Sequence, residues 1–167
     1  QTPQGIVAVI QKEEVGLPDF SQGKFLFLED VQDPGNVGTM IRTADAAGFT
    51  GVIVSDKSAD IYSLKTLRSM QGSHFHLPIY RMSLASFVEE AKKSNLPILA
   101  TTLSKDSKDY HELSPLENFA LVMGNEGQGI SSVMAESADQ LVHIGMKGRA
   151  ESLNVAVAAG ILMFYFS

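Results

Sequence analysis

The sequence predicts an α/β domain, a mostly parallel sheet flanked by helices. Short β-branched or aromatic runs alternate with stretches of helical apolar spacing, the pattern that lays parallel strands side by side. At Leu121-Val122-Met123 a strand-like run empties into a glycine loop that opens a helix. The 167 residues, 44% hydrophobic and 19% charged, suit one globule with a sizeable core.

In chain order, Ile6–Ile10 reads as a short strand after Gln1-Thr2-Pro3-Gln4-Gly5, and residues 11–22 as a polar connection. Strands follow at Lys24–Glu29, Gly51–Ser55, Pro97–Thr102, Phe119–Met123 and Gln140–Ile144, with a shorter one at Leu77–Tyr80. Each is rich in β-branched or aromatic residues. Helical spacing covers Asn36–Ala47, Ser63–Met70, Ser83–Ser94, Ile130–Ala135 and Ser152–Tyr165. Residues 104–117 read as a charged surface segment. No repeat or low-complexity tract interrupts the single domain. The Met and Phe residues read as core filling.

Composition narrows the function. The chain has no cysteine, which excludes disulfides and thiolate metal sites and agrees with a reducing cytoplasm. No signal peptide is visible at the N-terminus, and the longest apolar run, Val155–Phe166, is shorter than the roughly 17–25 residues of a membrane span. A net charge of −6 argues against a general nucleic-acid binder; an RNA partner would need a local basic patch or a separate domain. His74 and His76 would share one strand face, but with no third ligand in view a metal is not expected. His111 and His143 have no evident partner.

Three segments carry candidate chemistry. Asp33-Pro34-Gly35-Asn36 is a turn that places Asn36 as a helix N-cap. Val37, Met40, Ile41 and Ala44 form the buried stripe, Gly48 suits the helix stop, and Arg42 points away from its own helix's core. By pattern alone, Asn36 as a simple cap and Arg42 as a solvated charge is the favoured reading. Gly124-Asn125-Glu126-Gly127-Gln128-Gly129 follows a strand and brings backbone close to a nucleotide in many proteins. Its spacing matches neither the dinucleotide fingerprint nor the P-loop. Glu126 reads alone as a turn charge or as a ligand contact. Last, the basic loop Gly145-Met146-Lys147-Gly148-Arg149 leads into a helix whose first turn carries Ser152 and Asn154, ahead of an apolar body.

In this order the three segments resemble the signature motifs of the SpoU family, the 2′-O-ribose RNA methyltransferases of the SPOUT class. The resemblance runs from about Lys24 to the C-terminus. It implies a C-terminal trefoil knot, S-adenosylmethionine as methyl donor, and a ribosomal or transfer RNA substrate. It implies a homodimer joined through the knot and the last helix, with no metal and no membrane. A separate N-terminal RNA-binding domain is expected ahead of residues 1–22, which act as linker and first strand. By the same resemblance Asn36, Arg42, Glu126, Ser152 and Asn154 are active-site residues. Glu126 is expected to orient Arg42 or the loop. Thr101, Leu103, Gly124, Ile144, Met146, Ser152 and Leu153 contact the cofactor, and Arg42, Arg68, Lys147 and Arg149 meet RNA. Lys65 is a weaker RNA candidate. One departure is visible, Gly145 where the family often has proline.

The chemistry suits these residues. Methyl transfer from a sulfonium to an oxygen is an in-line displacement, and alignment alone supplies about 7–11 kcal/mol. Neither metal nor covalent nucleophile is needed. The lack of cysteine weighs against the thiol-adduct route of some base methyltransferases and favours ribose over pyrimidine C5. Base methylation on the same scaffold and non-catalytic RNA binding are the alternatives.

Overall fold

Alternate residues of the central strands enter different cores, which is why these runs are apolar throughout. In β1 (Lys24–Leu28), Leu26 and Leu28 join one cluster while Phe25 and Phe27 join the other. In β6 (Phe119–Met123), Phe119, Leu121 and Met123 divide from Ala120 and Val122 in the same way. A sheet buried on both faces needs a helical layer on each.

The computed structural model describes Gly5, Val9 and residues 15–167. Apart from Val9, the strand expected at Ile6–Ile10 lies outside the described residues. The other strands are β2 (Gly51–Val54), β3 (Ile79–Arg81), β4 (Ile98–Thr101), β5 (Lys108–Asp109) and β7 (Gln140–His143). The helices are α1 (Pro34–Ala46), α2 (Leu64–Met70), α3 (Leu84–Lys93), α4 (Ser132–Ser137) and α5 (Val155–Phe166). The strands form one sheet in the order β3-β2-β1-β6-β4-β7-β5, and every neighbouring pair is parallel.

The first cluster buries Met40, Ile41 and Ala44 of α1 and Ala159, Leu162, Met163 and Phe166 of α5 against one face. The second holds Phe87 and Ala91 of α3 and Met134 of α4 against the other. Phe27 and Phe87 stack with ring centroids 4.2 Å apart. Most of the Phe residues expected as core filling are buried, but Phe75 and Phe164 are exposed. Gly38 lets two helices touch closely, since a Cβ there would sit 2.6 Å from the Thr66 carbonyl oxygen of α2.

Several expectations need correction. Residues 104–117 are more than a charged surface segment, because they contain β5 and a 3₁₀ turn at Tyr110–Glu112. Two-residue strands leave too short an apolar run for periodicity to register. His74 lies in a 3₁₀ turn (Ser73–Phe75) with His76 just after it, so the two do not share a strand face. His76 Nδ1 instead lies 3.3 Å from the Asp45 carboxylate. The strand there begins two residues later than expected, at Ile79. The last helix begins at Val155 instead of Ser152, and α4 begins at Ser132.

Candidate active site

The three motifs meet beyond the carboxyl ends of β1, β4, β6 and β7, where α/β sheets gather their ligands. The meeting begins with caps. The Asp33 carboxylate, not Asn36, caps α1, accepting the Asn36 N–H at 2.9 Å. Pro34 fits the first helical position, where no N–H is needed. Asn36 thus sits within the first turn, and its amide is free for other work. The Lys65 ammonium, 2.7 Å away, and the Asn36 N–H hold the Asp33 carboxyl below its ordinary range. Lys65 is thereby already engaged with a carboxylate.

Glu126 organises the first and second motifs. Its Oε1 accepts from the Asp33 N–H at 3.0 Å and from Asn36 Nδ2 at 3.1 Å. Its Oε2 accepts from the Gln32 N–H at 3.1 Å. Partial burial pushes this carboxyl up, but these bonds outweigh it and leave the group below its ordinary value. Glu126 therefore ties its own loop to the segment that begins α1. It makes no bond to Arg42, whose exposed side chain has no hydrogen bond or ion pair among the described residues.

The third motif joins through Asn154. Its Nδ2 donates to Asn36 Oδ1 at 3.1 Å, while its Oδ1 accepts the N–H groups of Ala156 and Val157. Asn154 is the N-cap of α5, and Ser152 lies in the loop before it. Side-chain hydrogen bonds thus run Glu126–Asn36–Asn154 across segments some 90 and 118 positions apart.

Two contributors escape the sequence reading. Asn125 closes the second motif, its Oδ1 accepting the Gly127 and Gln128 N–H groups and its Nδ2 donating to the Asp30 carbonyl. An Asn two positions before Gly is an Asx-turn signal that points to it. The buried Glu29 accepts the Ser131 N–H at 3.1 Å, securing the start of α4; no sequence signal marked it. Gly124 packs so tightly that a Cβ would sit 2.2 Å from the Gly129 carbonyl carbon.

Beside this network opens a cavity of about 540 Å³. Every expected cofactor residue lines it: Thr101, Leu103, Gly124, Ile144, Met146, Ser152 and Leu153. Glu126 is also in the wall, whereas Asn36, Arg42 and Asn154 lie outside it. The size is that of a small-molecule site. Its lining combines apolar side chains, Leu103, Ile130, Ile144, Met146 and Leu162, with the Glu126 carboxylate. Apolar walls for an adenine ring and a carboxylate for a cationic sulfonium are the groups this cofactor needs, so the residues present fit it.

A model of the SpoU rRNA methylase family matches residues 23–164. The chain belongs to this family. It is 47% identical over 165 residues to the 23S rRNA (guanosine(2553)-2′-O)-methyltransferase RlmP of Bacillus subtilis, covering 99% of this chain and 65% of that protein. Among solved structures it is similar to an AdoMet-bound rRNA methyltransferase from Sinorhizobium meliloti, with 40% identity and a TM-score of 0.81 over 85% of this chain and 54% of that one. It is also similar to the SpoU methyltransferase AviRb from Streptomyces viridochromogenes in complex with AdoMet, with 33% identity and a TM-score of 0.78 over 89% and 60% of the two chains. The chain thus spans somewhat less than two thirds of these proteins' lengths.

The remaining family-derived residues fall as follows. Arg42, Arg68, Lys147 and Arg149 are all exposed, on α1, α2 and the loop before α5. His111 and His143 do have partners: His111 Nδ1 lies 2.9 Å from Asp109 Oδ1, and His143 Nδ1 lies 3.0 Å from Ser107 Oγ. At the departure Gly145, the N–H donates to Asp109 Oδ2 at 3.0 Å, a bond proline cannot make. Among the described residues no group of three or more His, Asp or Glu is placed to hold a metal, and no helix is long and apolar enough to cross a membrane.

Proposed function

We propose that this domain transfers a methyl group from S-adenosylmethionine to a ribose 2′-hydroxyl of ribosomal or transfer RNA. The observation that carries the reading is the hydrogen-bonded line Glu126–Asn36–Asn154 at the rim of the cavity. It fixes polar groups of all three motifs beside a space suited to the methyl donor. When bound, the cofactor supplies an electrophilic methyl on a cationic sulfur. The protein aligns the ribose oxygen with that methyl and holds the surroundings still. Thr101, Leu103, Gly124, Ile144, Met146, Ser152 and Leu153 would hold the cofactor, which would give up its methyl to the ribose oxygen and leave as a neutral thioether, and the hydroxyl proton would pass to water.

Glu126 serves as an organiser and not as the base, since three donors already occupy its oxygens and favour its charged form. Arg42, permanently protonated, grips an RNA phosphate. Arg68, Lys147 and Arg149 extend that cationic surface, and an additional N-terminal RNA-binding domain selects the target. The net charge of −6 supports this division of labour. We assign the C-terminal segment the family's trefoil knot and the protein a homodimeric state. In α5 the face away from the core leaves Val157 53%, Ile161 36% and Phe164 59% exposed. These positions, spaced i, i+4 and i+7, make an apolar stripe that a second copy would cover. We assign it to the cytoplasm, in keeping with a ribosomal or transfer RNA substrate.

Titration calorimetry with S-adenosylmethionine tests the reading, and absence of binding would favour a non-catalytic RNA binder. Mapping the product decides between ribose and base, because 2′-O-methylation blocks alkaline cleavage at that nucleotide. Arg42→Ala is expected to lower turnover by about 10²–10³-fold, the cost of removing one stabilising donor, with cofactor affinity nearly unchanged. A large loss of cofactor affinity would contradict its place outside the cavity.

A further inference from the structure

The segment between β4 and β6 brings a carboxylate behind the cavity wall. Asp109 ends β5, which pairs with β7 through Lys108↔Val142 and Asp109↔His143. It therefore stands beside the strand end from which Ile144, Gly145 and Met146 continue. Asp109 Oδ2 accepts the Gly145 N–H at 3.0 Å, while Oδ1 accepts the His111 N–H at 3.1 Å and lies 2.9 Å from His111 Nδ1. The Tyr110 and Tyr165 rings flank that imidazole, with centroids 3.8 and 5.7 Å away. The Tyr165 hydroxyl, near the end of α5, donates to the Leu113 carbonyl at 3.2 Å. The carboxylate is thus held in place from one side and holds the motif loop on the other.

Two further facts give this contact weight. Among the described residues, the Gly145 N–H is the one group between His143 and Asn154 that makes a hydrogen bond. Its neighbours Ile144 and Met146 both line the cavity. Moreover, Gly145 has a φ outside the left-handed region, so its backbone would accept a side chain. A Cβ there would sit 2.6 Å from Asp109 Oδ2, and the other atom within 4 Å is the same carboxylate's Cγ. Asp109 alone makes glycine necessary at this position. It could swing away only by giving up its bonds to Gly145 and His111.

We propose that Asp109 is a positioning residue for cofactor binding, holding Ile144–Met146 against the cavity through the Gly145 amide. The proposal rests on reading the cavity as the S-adenosylmethionine site. It is tested by calorimetry with S-adenosylmethionine on the unaltered protein, Asp109→Ala, Gly145→Ala and the double variant. Each single substitution is expected to raise Kd about tenfold, the effect of one charge-assisted hydrogen bond. The melting temperature and kcat at saturating cofactor should stay near those of the unaltered protein, so that the loss appears in Kd and in KM for the cofactor. The double variant should bind no worse than Asp109→Ala, since the carboxylate that the new methyl would strike is gone. Additive losses of about a hundredfold would overturn the clasp, as would full affinity in Asp109→Ala or a parallel fall in melting temperature. Amide hydrogen exchange reads the same contact without ligand: Asp109→Ala should speed exchange at Gly145, and an unchanged rate overturns the proposal. Failure of the unaltered protein to bind would instead overturn the cavity reading, leaving the exchange result to judge the clasp.

Discussion

The loops on the two sides of the cavity are built in opposite ways. Residues 125–129 are closely bonded: Asn125 and Gly129 exchange two backbone hydrogen bonds at 2.9 Å, Asn125 spans the turn, and Glu126 reaches across to α1. Residues 146–153 make no hydrogen bond among the described residues, although Met146, Ser152 and Leu153 face the same space. One wall is finished by the protein itself. The other leaves its polar backbone and side chains to solvent, and a ligand entering the cavity can take the place of that water. Preorganisation is thus concentrated at the wall that carries Glu126, and freedom to adjust at the wall that carries Met146, Ser152 and Leu153.

The contrast breaks most completely at Gly124. Gly124→Ala would drive a methyl into the Gly129–Ile130 backbone, which cannot retreat as a side chain could. Overpacking of this kind costs about 1–3 kcal/mol, so a lower denaturation midpoint and loss of measurable cofactor binding are expected. Normal binding would mean that the finished wall tolerates opening. Next in size, Glu126→Gln should reduce turnover by about a hundredfold, the cost of a small misplacement of reacting groups. The same variant sharpens the pH dependence. Because the folded-state value of Glu126 is lowered, its contribution is complete above the ordinary carboxylate value and is lost as pH falls through the lowered one. Melting temperature should therefore decline in acid, and the Gln variant should decline less steeply. An identical acid limb in both proteins would remove Glu126 from the account. The smallest effect belongs to the open wall. Ser152→Ala should lower turnover about tenfold while changing stability by less than about 0.5 kcal/mol, as expected for an exposed side chain without partners. A marked loss of stability would show that this loop is bonded after all.

Much of this site was legible in the residues. The stripe Val37, Met40, Ile41 and Ala44 is fully buried, as its spacing requires, and Arg42 is exposed. The three motifs converge, and all seven expected cofactor residues line one cavity. The misreadings share a cause. Asn36 and Ser152 were assigned to helix starts from local pattern, yet Asp33 and Asn154 hold the caps. Ser, Asn and Asp all cap well, so several neighbouring positions compete, and backbone geometry picks one. β5 carries no periodic signal, and the contact of Asp109 with Gly145 is invisible because the two lie 36 positions apart.

By itself the sequence determined the alternation of elements, the two-faced burial of the strands and the chemical kinds of residue in each motif, because periodicity and turn preference are local properties. Only the tertiary structure decided which polar groups meet. Parallel strands joined through helices bring together segments about a hundred positions apart. Whether Glu126 binds Arg42 or Asn36, and whether Asp109 is a surface charge or a clasp, depends on distances that no local pattern encodes.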